Sequence, residues 1–471
     1  MAYVVSASLV VVSNRGPVAF QFDDDGDPAP GRAGGGLAAT LGGGVKGDDV
    51  VWVAATMSDA DRAAAKQADP DGELRLHGYR LRLVDVPAET YTAAYNVVAN
   101  ETLWFWHHHM FDSAHRPRLD STFRAAWESF REMNRLLAAA AALAAAPDAI
   151  VLVHDYQVAL VPAMLRALRP DLRISHFTHT PWVDPALISL LPDDVVEELL
   201  FGMGGANVCG FHSPRWADGF TGCWRAHPAT RALPAPRTYI APAAADHDEV
   251  AGVATSPECE REVVSFDAAV GSRRCIVRVD RIEPSKNLLR GLWAFRELLS
   301  LHPEWRDNVC LVAMCYPSRE SLAEYQQLNH DVIETAASLN REFGTDDWSP
   351  VILDTNDDFP RSVAGLRRAD VLLVNPIRDG LNLVAYEGPA INEREAVLVL
   401  SREAGAWDEL GSAGALVVNP FDVVGTAEAL HQALTMEDKT RSERYARLRE
   451  VVTARTPAEW LRKQIAAVSG G

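Results

Sequence analysis

A cationic surplus is missing from this 471-residue chain: 45 Lys and Arg stand against 64 Asp and Glu, for a formal net charge of −19. Nucleic acid and anionic lipid both call for a basic face, so neither partner class is expected. The field of the whole molecule repels anions, so any anionic ligand has to be held by cations concentrated locally. Cysteine is scarce as well. The six residues, at 209, 223, 259, 275, 310 and 315, form no CxxC pair, and several sit in apolar runs such as "NVCLVAMC". Buried free thiols in a reducing compartment are the expectation, with metal or disulfide use the lesser alternative. The alanine-rich run "LLAAAAALAAAPDAIVLV" is broken at Pro147-Asp148, short of the ~20 apolar residues that a membrane helix needs. The opening "MAYVVSASLVVVSNRGP" has no basic leader and no small-residue cleavage site, so it reads as a first strand rather than a signal peptide. A cytoplasmic protein is expected, with homo-oligomerisation left open.

Short β-branched runs alternate with longer helical patterns throughout. Strands are expected at 9–15, 48–55, 149–155 and 173–179, then at 275–280, 308–315, 350–355, 370–376, 396–401 and 415–420. Continuous apolar strands separated by helices predict an α/β protein with parallel sheets covered on both faces. The Ala- and Pro-rich stretch "LPAPRTYIAPAAADHDEVAGVATSP" (233–257) reads as a hinge. It separates a first domain, 1–240, from a second, 245–440. A closing helix over 455–471 is expected to pack back on the first domain. The architecture expected is two doubly wound domains facing a central cleft.

Ligands in such sheets bind beyond the carboxyl ends of the strands, and the polar clusters fall there. Ser13-Asn14-Arg15 ends the first strand, and "GRAGGG" (31–36) could bring backbone amides close to an anion or simply form a turn. It is neither GxGxxG nor a P-loop, since no Lys-Ser/Thr follows. The run "YNVVANETLWFWHHHMF" (95–111) suits either a sugar-stacking wall or ordinary core packing. Adjacent His107, His108 and His109 cannot all point one way, so no metal site is expected there. "VHDYQ" and "FTHTPW" place Asp155 and His179 at successive strand ends. No nucleophile elbow appears, which disfavours hydrolase chemistry.

In the second half, "VDRIEPSKN" (279–287) sets Arg281 and Lys286 around a proline between a strand and a helix. The two cations could converge on one diphosphate near a helix N-terminus, or belong to a solvated basic turn. Arg319 follows the next strand. "NPIRDGLNLVAYE" then offers Asp379 for sugar hydroxyls, glycine-freed amides at 380–382, and Glu387 for a ribose diol.

Taken in order, "VVVSNRGPV", "VHDYQ", "HFTHTPW", "DRIEPSKN", "PIRDGLNLVAYE" and "VLSREAGAWDEL…ALVVNPFD" resemble the trehalose-6-phosphate synthase family over positions 9–435. These are retaining GT-B glycosyltransferases of family 20, built from two Rossmann-like domains. The resemblance implies that Arg281 and Lys286 hold the donor diphosphate. Asp379 with Gly380, Leu381, Asn382 and Leu383 would contact the donor, Glu387 its ribose, and His179 would lie over the donor sugar. Gly34, Gly35 and Gly36 match a loop that closes over the donor phosphates. Arg15, Tyr95, Trp104, Asp155 and Arg319 match the glucose 6-phosphate side. The implied chemistry needs no cofactor and no metal: the departing β-phosphate takes the acceptor proton on the same face, which gives retention.

Three departures stand out: "RIEPSKN" for the family's "RLDYSKG", Tyr386 for its lysine, and "IAPAAAD" at the inter-domain crossing. The stretches "EPSKN" and "EGPAINER" resemble an actinobacterial branch that tends to use GDP-glucose and includes validoxylamine-type pseudo-glycosyltransferases joining cyclitols. Asp354, Asp357 and Asp358, in "LDTNDDF", lie where the family cradles the base, and a carboxylate there could accept from guanine N1–H and N2–H. GDP-glucose is therefore expected over UDP-glucose. A cyclitol-coupling enzyme and a non-catalytic sugar-phosphate sensor remain the alternatives.

Overall fold

The computed structural model describes residues 6–32, 40–41, 45–47, 49–319 and 322–470. The chain divides into two compact units, Met1–Ala243 with Pro457–Gly471, and Ala244–Thr456. Among the described residues, no helix is long and apolar enough to cross a membrane. All six cysteines are buried and unpaired.

The first unit is built on β1 (Ala7–Ser13), β4 (Val50–Ala55), β5 (Leu74–Leu76), β6 (Tyr79–Val84), β7 (Ala145–His154), β8 (Arg173–Thr178), β9 (Val208–Phe211) and β10 (Arg237–Ile240). Their order is β10-β9-β8-β7-β1-β4-β6-β5. All pairs are parallel except the β5–β6 edge. The central strands β1, β4 and β7 carry the valine-rich runs and are buried on both faces, as parallel strands under helices must be. Between β1 and the "GRAGGG" stretch lies an antiparallel ribbon, β2 (Val18–Phe22) with β3 (Pro28–Arg32). The aromatic run 95–111 continues a helix that starts at Ala88, with a π-helical stretch over Ala93–Leu103.

The second unit holds an all-parallel sheet of β11 (Arg274–Ile282), β12 (Val309–Pro317), β13 (Val351–Asp354), β14 (Val371–Val374), β15 (Val397–Ser401) and β16 (Leu416–Val418). Its order, β13-β12-β11-β14-β15-β16, is that of a dinucleotide-type doubly wound fold. The chain leaves β11 toward one edge of the sheet and returns at β14 to build the other. The crevice between the carboxyl ends of those two strands is where such sheets bind ligands.

The expected hinge at 233–257 holds the boundary between the two units, after Ala243, and it also carries regular structure. It contains β10 and a helix, His247–Ala254, whose N-terminus is capped by Asp246 accepting from the Glu249 amide at 3.0 Å. Ala241, Ala243, Ala244 and Ala245 are core residues. The crossing is therefore made by packed alanines, which serve the core on the way through. The second unit runs on through a helix at Asp438–Thr453. Helix Pro457–Ser469 belongs to the first unit, where Trp460 donates to the Ala241 carbonyl at 2.9 Å.

Candidate active site

At the switch point of the second sheet, β11 runs into a single 3-10 turn, Pro284–Lys286, before helix Leu288–Leu301 begins. Asn287 ends the turn in the left-handed region, with φ 60°, and its side chain donates to the carbonyls of Asn375 (2.9 Å) and Pro420 (2.8 Å). Where the family text carries glycine, this chain keeps the backbone geometry with the residue type that tolerates it next best, and adds two anchors. Beneath the turn lies Arg278, fully buried, donating to Asp280 at 2.8 Å and to the Lys286 carbonyl at 2.9 Å. Gly291 makes room for it: a Cβ there would sit 2.2 Å from the guanidinium.

Lys286 Nζ meets Asp379 Oδ2 at 2.6 Å, the two side chains being 14% and 16% exposed. Burial pulls the lysine pKa down, but Asp379, Asp280 and Glu283 outweigh that and hold it above its ordinary value. Arg281 is 45% exposed and pairs with the buried Glu283 carboxylate at 2.9 Å. Glu283 raises its pKa, while nearby Arg319 works against it. Arg319 itself adopts φ 48° and donates to the Tyr325 hydroxyl at 2.5 Å. Arg281, Lys286 and Arg319, read from the second half of the sequence, thus meet in one unit, interleaved with Asp379 and with two carboxylates that sequence reasoning left out, Asp280 and Glu283. Glu283 was in plain view, two residues beyond Arg281; the alternation R-x-E was the available signal.

Asp379 leaves β14 in a loop clasped by residues 403–406. Its amide donates to the Glu403 carbonyl at 3.1 Å, and the Ala406 amide donates to that of Leu381 at 2.9 Å. A Cβ on Gly405 would stand 2.0 Å from the Gly380 oxygen, so only glycine lets the two loops lie together. The Asp379 carboxylate accepts from the Leu381 amide at 3.4 Å and from Asn382 at 3.3 Å, with Asn382 at φ 80°. Leu383 leads into helix Val384–Ile391, whose first turn carries Glu387. Tyr386, at the family lysine's position, points elsewhere: it is buried and donates to Glu409 at 2.7 Å, which Arg455 grips through both oxygens at 2.5 and 2.6 Å. Tyr386 and Arg455 both supply that carboxylate with donors.

The base-cradle segment divides. Asp354 is ion-paired to Arg361 and accepts from Asn356, and Asp358 caps helix Phe359–Arg368 through the Arg361 amide at 3.0 Å. Asp357 is exposed and lies near enough to Tyr316 to raise its pKa.

In the first unit, Arg15 is exposed just past β1, beside Tyr91. Asn14 donates to the Tyr91 hydroxyl at 3.1 Å, and Tyr91 stacks on Tyr95 with ring centroids 5.3 Å apart. Trp104 is buried, its ring stacked 4.1 Å from that of His108. His108 bonds the Trp104 carbonyl at 2.7 Å, whereas His109 accepts from the Asp184 amide at 2.9 Å. The three adjacent histidines diverge. Among the described residues one group could ligate a metal, His302, Glu304 and His431. Its imidazoles stack at 3.6 Å, and Trp305 donates to His431 Nδ1 at 3.0 Å.

Asp155 and His179 are brought together. Asp155 sits at φ 80°, a conformation costly for a residue with a side chain, and accepts from the His179 amide at 3.0 Å. Both ring nitrogens of His179 are engaged, by His154 at 3.1 Å and His212 at 3.2 Å. Neither neighbour was singled out from the sequence, although each stands one position past the apolar core of its strand. Burial and the flanking histidines push the His179 pKa well down. Gly34, Gly35 and Gly36 lie outside the described residues.

The glycosyltransferase family 20 model matches residues 7–469. A bifunctional trehalose-6-phosphate synthase/phosphatase of Thermoproteus tenax is 30% identical over 96% of this chain, which spans 62% of that relative's length. An alpha,alpha-trehalose-phosphate synthase (UDP-forming) of Aspergillus niger is 30% identical over 98% of this chain and 96% of its own. A crystal structure of the corresponding Burkholderia xenovorans synthase, in complex with glucose-6-phosphate, superposes with a TM-score of 0.84 at 27% identity, covering 98% of this chain and 100% of that one. With the parallel two-unit α/β fold and the cation cluster at the switch point, these likenesses show that the chain belongs to glycosyltransferase family 20 and is a glycosyltransferase.

Proposed function

We propose that the chain transfers glucose, with retention, from a nucleoside diphosphate glucose to glucose 6-phosphate, giving trehalose 6-phosphate. The observation that carries this reading is the meeting of Arg281, Lys286 and Asp379 at the switch point of the second sheet. The Aspergillus relative is UDP-forming and the Burkholderia structure holds glucose-6-phosphate, which supports both substrate classes. In this reading Lys286 and Arg281 take up the charge that develops on the leaving diphosphate, and no metal takes part. Oriented side chains supply the rest by holding acceptor and donor in line. The departing phosphate accepts the acceptor's proton on the face it leaves. Arg15, Tyr95, Trp104, Asp155 and Arg319 serve glucose 6-phosphate.

GDP-glucose is the favoured donor, and that preference rests on Asp357, since Asp354 and Asp358 already have structural partners. Tyr386 lends no support to cyclitol coupling, because its hydroxyl is committed to Glu409. The deciding experiment is a donor-by-acceptor assay with mass detection, run with and without chelator. A disaccharide phosphate formed in both conditions supports the reading. An amine-linked product from cyclitol substrates, binding without turnover, or loss of activity with chelator each overturns a named part of it. Asp357→Asn is expected to narrow the GDP-over-UDP preference about tenfold, the worth of one charge-assisted hydrogen bond. Equal or better turnover of UDP-glucose by the unmodified protein removes the guanine preference altogether.

A further inference from the structure

His179 lies in a directed chain of hydrogen bonds whose polarity the backbone dictates. The Ala243 amide donates to His212 Nδ1 at 3.2 Å. That nitrogen must therefore be bare, and the hydrogen of a neutral His212 sits on Nε2. His212 Nε2 faces His179 Nδ1 at 3.2 Å, so it donates and His179 Nδ1 accepts. His179 then carries its hydrogen on Nε2, which faces His154 Nδ1 at 3.1 Å. His154 in turn is left with Nε2–H, buried and without a partner among the described residues. An imidazolium anywhere in the row would set two donors against each other at an Nδ1. The row therefore favours three neutral rings by geometry alone, and burial acts in the same direction on His179 and His154, taking His154 down to about 3. Trp460 closes over the row, its ring 5.8 to 6.5 Å from the three imidazoles.

We propose that His212 is a positioning residue for the glycosyl transfer: reading its tautomer from the Ala243 amide, it fixes His179 as a neutral imidazole with hydrogen on Nε2. The proposal rests on the reading above that His179 stands beside the donor sugar. Glycosyl transfer builds positive charge at the anomeric carbon, and an imidazolium there would oppose it. The titratable groups that face His179 are His154 and Asp155 at the end of β7, His176 on β8 and His212 past β9; helix Pro457–Ser469 faces it with the Trp460 indole. His176 is itself held neutral by burial, its Nε2 directed at the Asp155 carbonyl at 3.3 Å, so it sends no competing proton.

Two substitutions separate positioning from packing. Gln at 212 can keep a donor toward His179 but not the acceptor for Ala243; Asn can keep the acceptor but not the donor. Nitrogen-15 NMR of the histidine rings reads the tautomers directly, without any nucleotide sugar. In the unmodified protein His154, His179 and His212 are all expected as Nε2–H, and His154 should not titrate down to pH 5. His212→Gln should preserve the His179 signature. His212→Asn should mix its tautomers, add an acid limb to the kcat–pH profile, and lower kcat on the order of tenfold, by analogy with lost orienting partners of metal-bound histidines. Nδ1–H at His179 or His212 in the unmodified protein overturns the proposal even if neither variant folds. So does a His179 signature that is the same in both variants. Absence of turnover with every glucose donor would sink the functional reading and leave the ring spectra to decide this one.

Discussion

Lys286 is held between two jobs. Its ammonium already has Asp379 at 2.6 Å, with Asp280 and Glu283 close enough to raise its pKa, so a diphosphate arriving at this turn meets a cation that is charged and fixed in place. A preorganised donor of this kind is worth about 10²–10³ in turnover. Lys286→Ala is therefore expected to lower kcat by about that factor with any nucleoside diphosphate glucose, measured as disaccharide phosphate formed under donor saturation. A loss confined to KM would mean that Lys286 binds ground state and transition state alike. The cations themselves were legible in the sequence, because Arg and Lys flanking a proline after an apolar run mark a strand end. Their partners were legible only in part. The R-x-E spacing offers Glu283 to Arg281, but nothing local says that Asp379, distant in sequence, is the lysine's counter-ion. That pairing follows from the strand order, in which β14 lies beside β11.

The turn 283–287 is the element that converts this order into a site. Asn287 holds it by a left-handed backbone and two carbonyl contacts reaching Asn375 and Pro420, so the loops after β14 and β16 are tied to the turn after β11. Asn287→Ala removes both hydrogen bonds and leaves a β-carbon in a region that disfavours it. A loss of about 2–4 kcal/mol is expected. Asn287→Gly restores the backbone freedom and should lose less, on the order of 1–2 kcal/mol. Urea midpoints for the two variants check the order; alanine no worse than glycine would show that φ is not what the residue is there for. At this scale all ten expected strands appear, most of them as short runs of apolar and β-branched residues between helical patterns. The strands β5, β6, β9 and β10 were not legible. In the "LRL" of β5 and the "YRLRLV" of β6 the alternation with arginine hides an edge pair. In β9 the pattern is broken by Gly210, where any Cβ would collide with Phe177 and Tyr239.

Over the whole molecule, the histidines shifted by burial gather in one unit. The histidines whose pKa is driven down, His154, His176 and His179, all lie among the described residues of the first unit. Unfolding frees each to protonate near its ordinary value of 6.5, whereas the native state keeps His176 neutral to about 4 and His154 to about 3. Below pH 6.5 the unfolded chain thus binds protons that the folded unit refuses, and folding stability drops as pH drops. At pH 5 the loss is about 2 kcal/mol for each of these two histidines, at 1.36 kcal/mol per unit of separation. The native carboxylates held low by hydrogen bonds, Asp171 at the end of helix Val161–Leu168 among them, add their own loss only under more acid conditions, so the window from 6.5 to 5 belongs to the histidines. Hydrogen exchange resolved by peptide can follow the two units separately. Protection in β7, β8 and β9 should fall on acidification through that window, while β11, β12 and β14 hold theirs. His154→Asn, whose amide oxygen can replace Nδ1 as the acceptor for His179, should remove part of the slope without removing the chain's last bond. If protection in both units falls in parallel, or stays level down to pH 5, the neutral histidine row is not what sets the acid stability of the first unit.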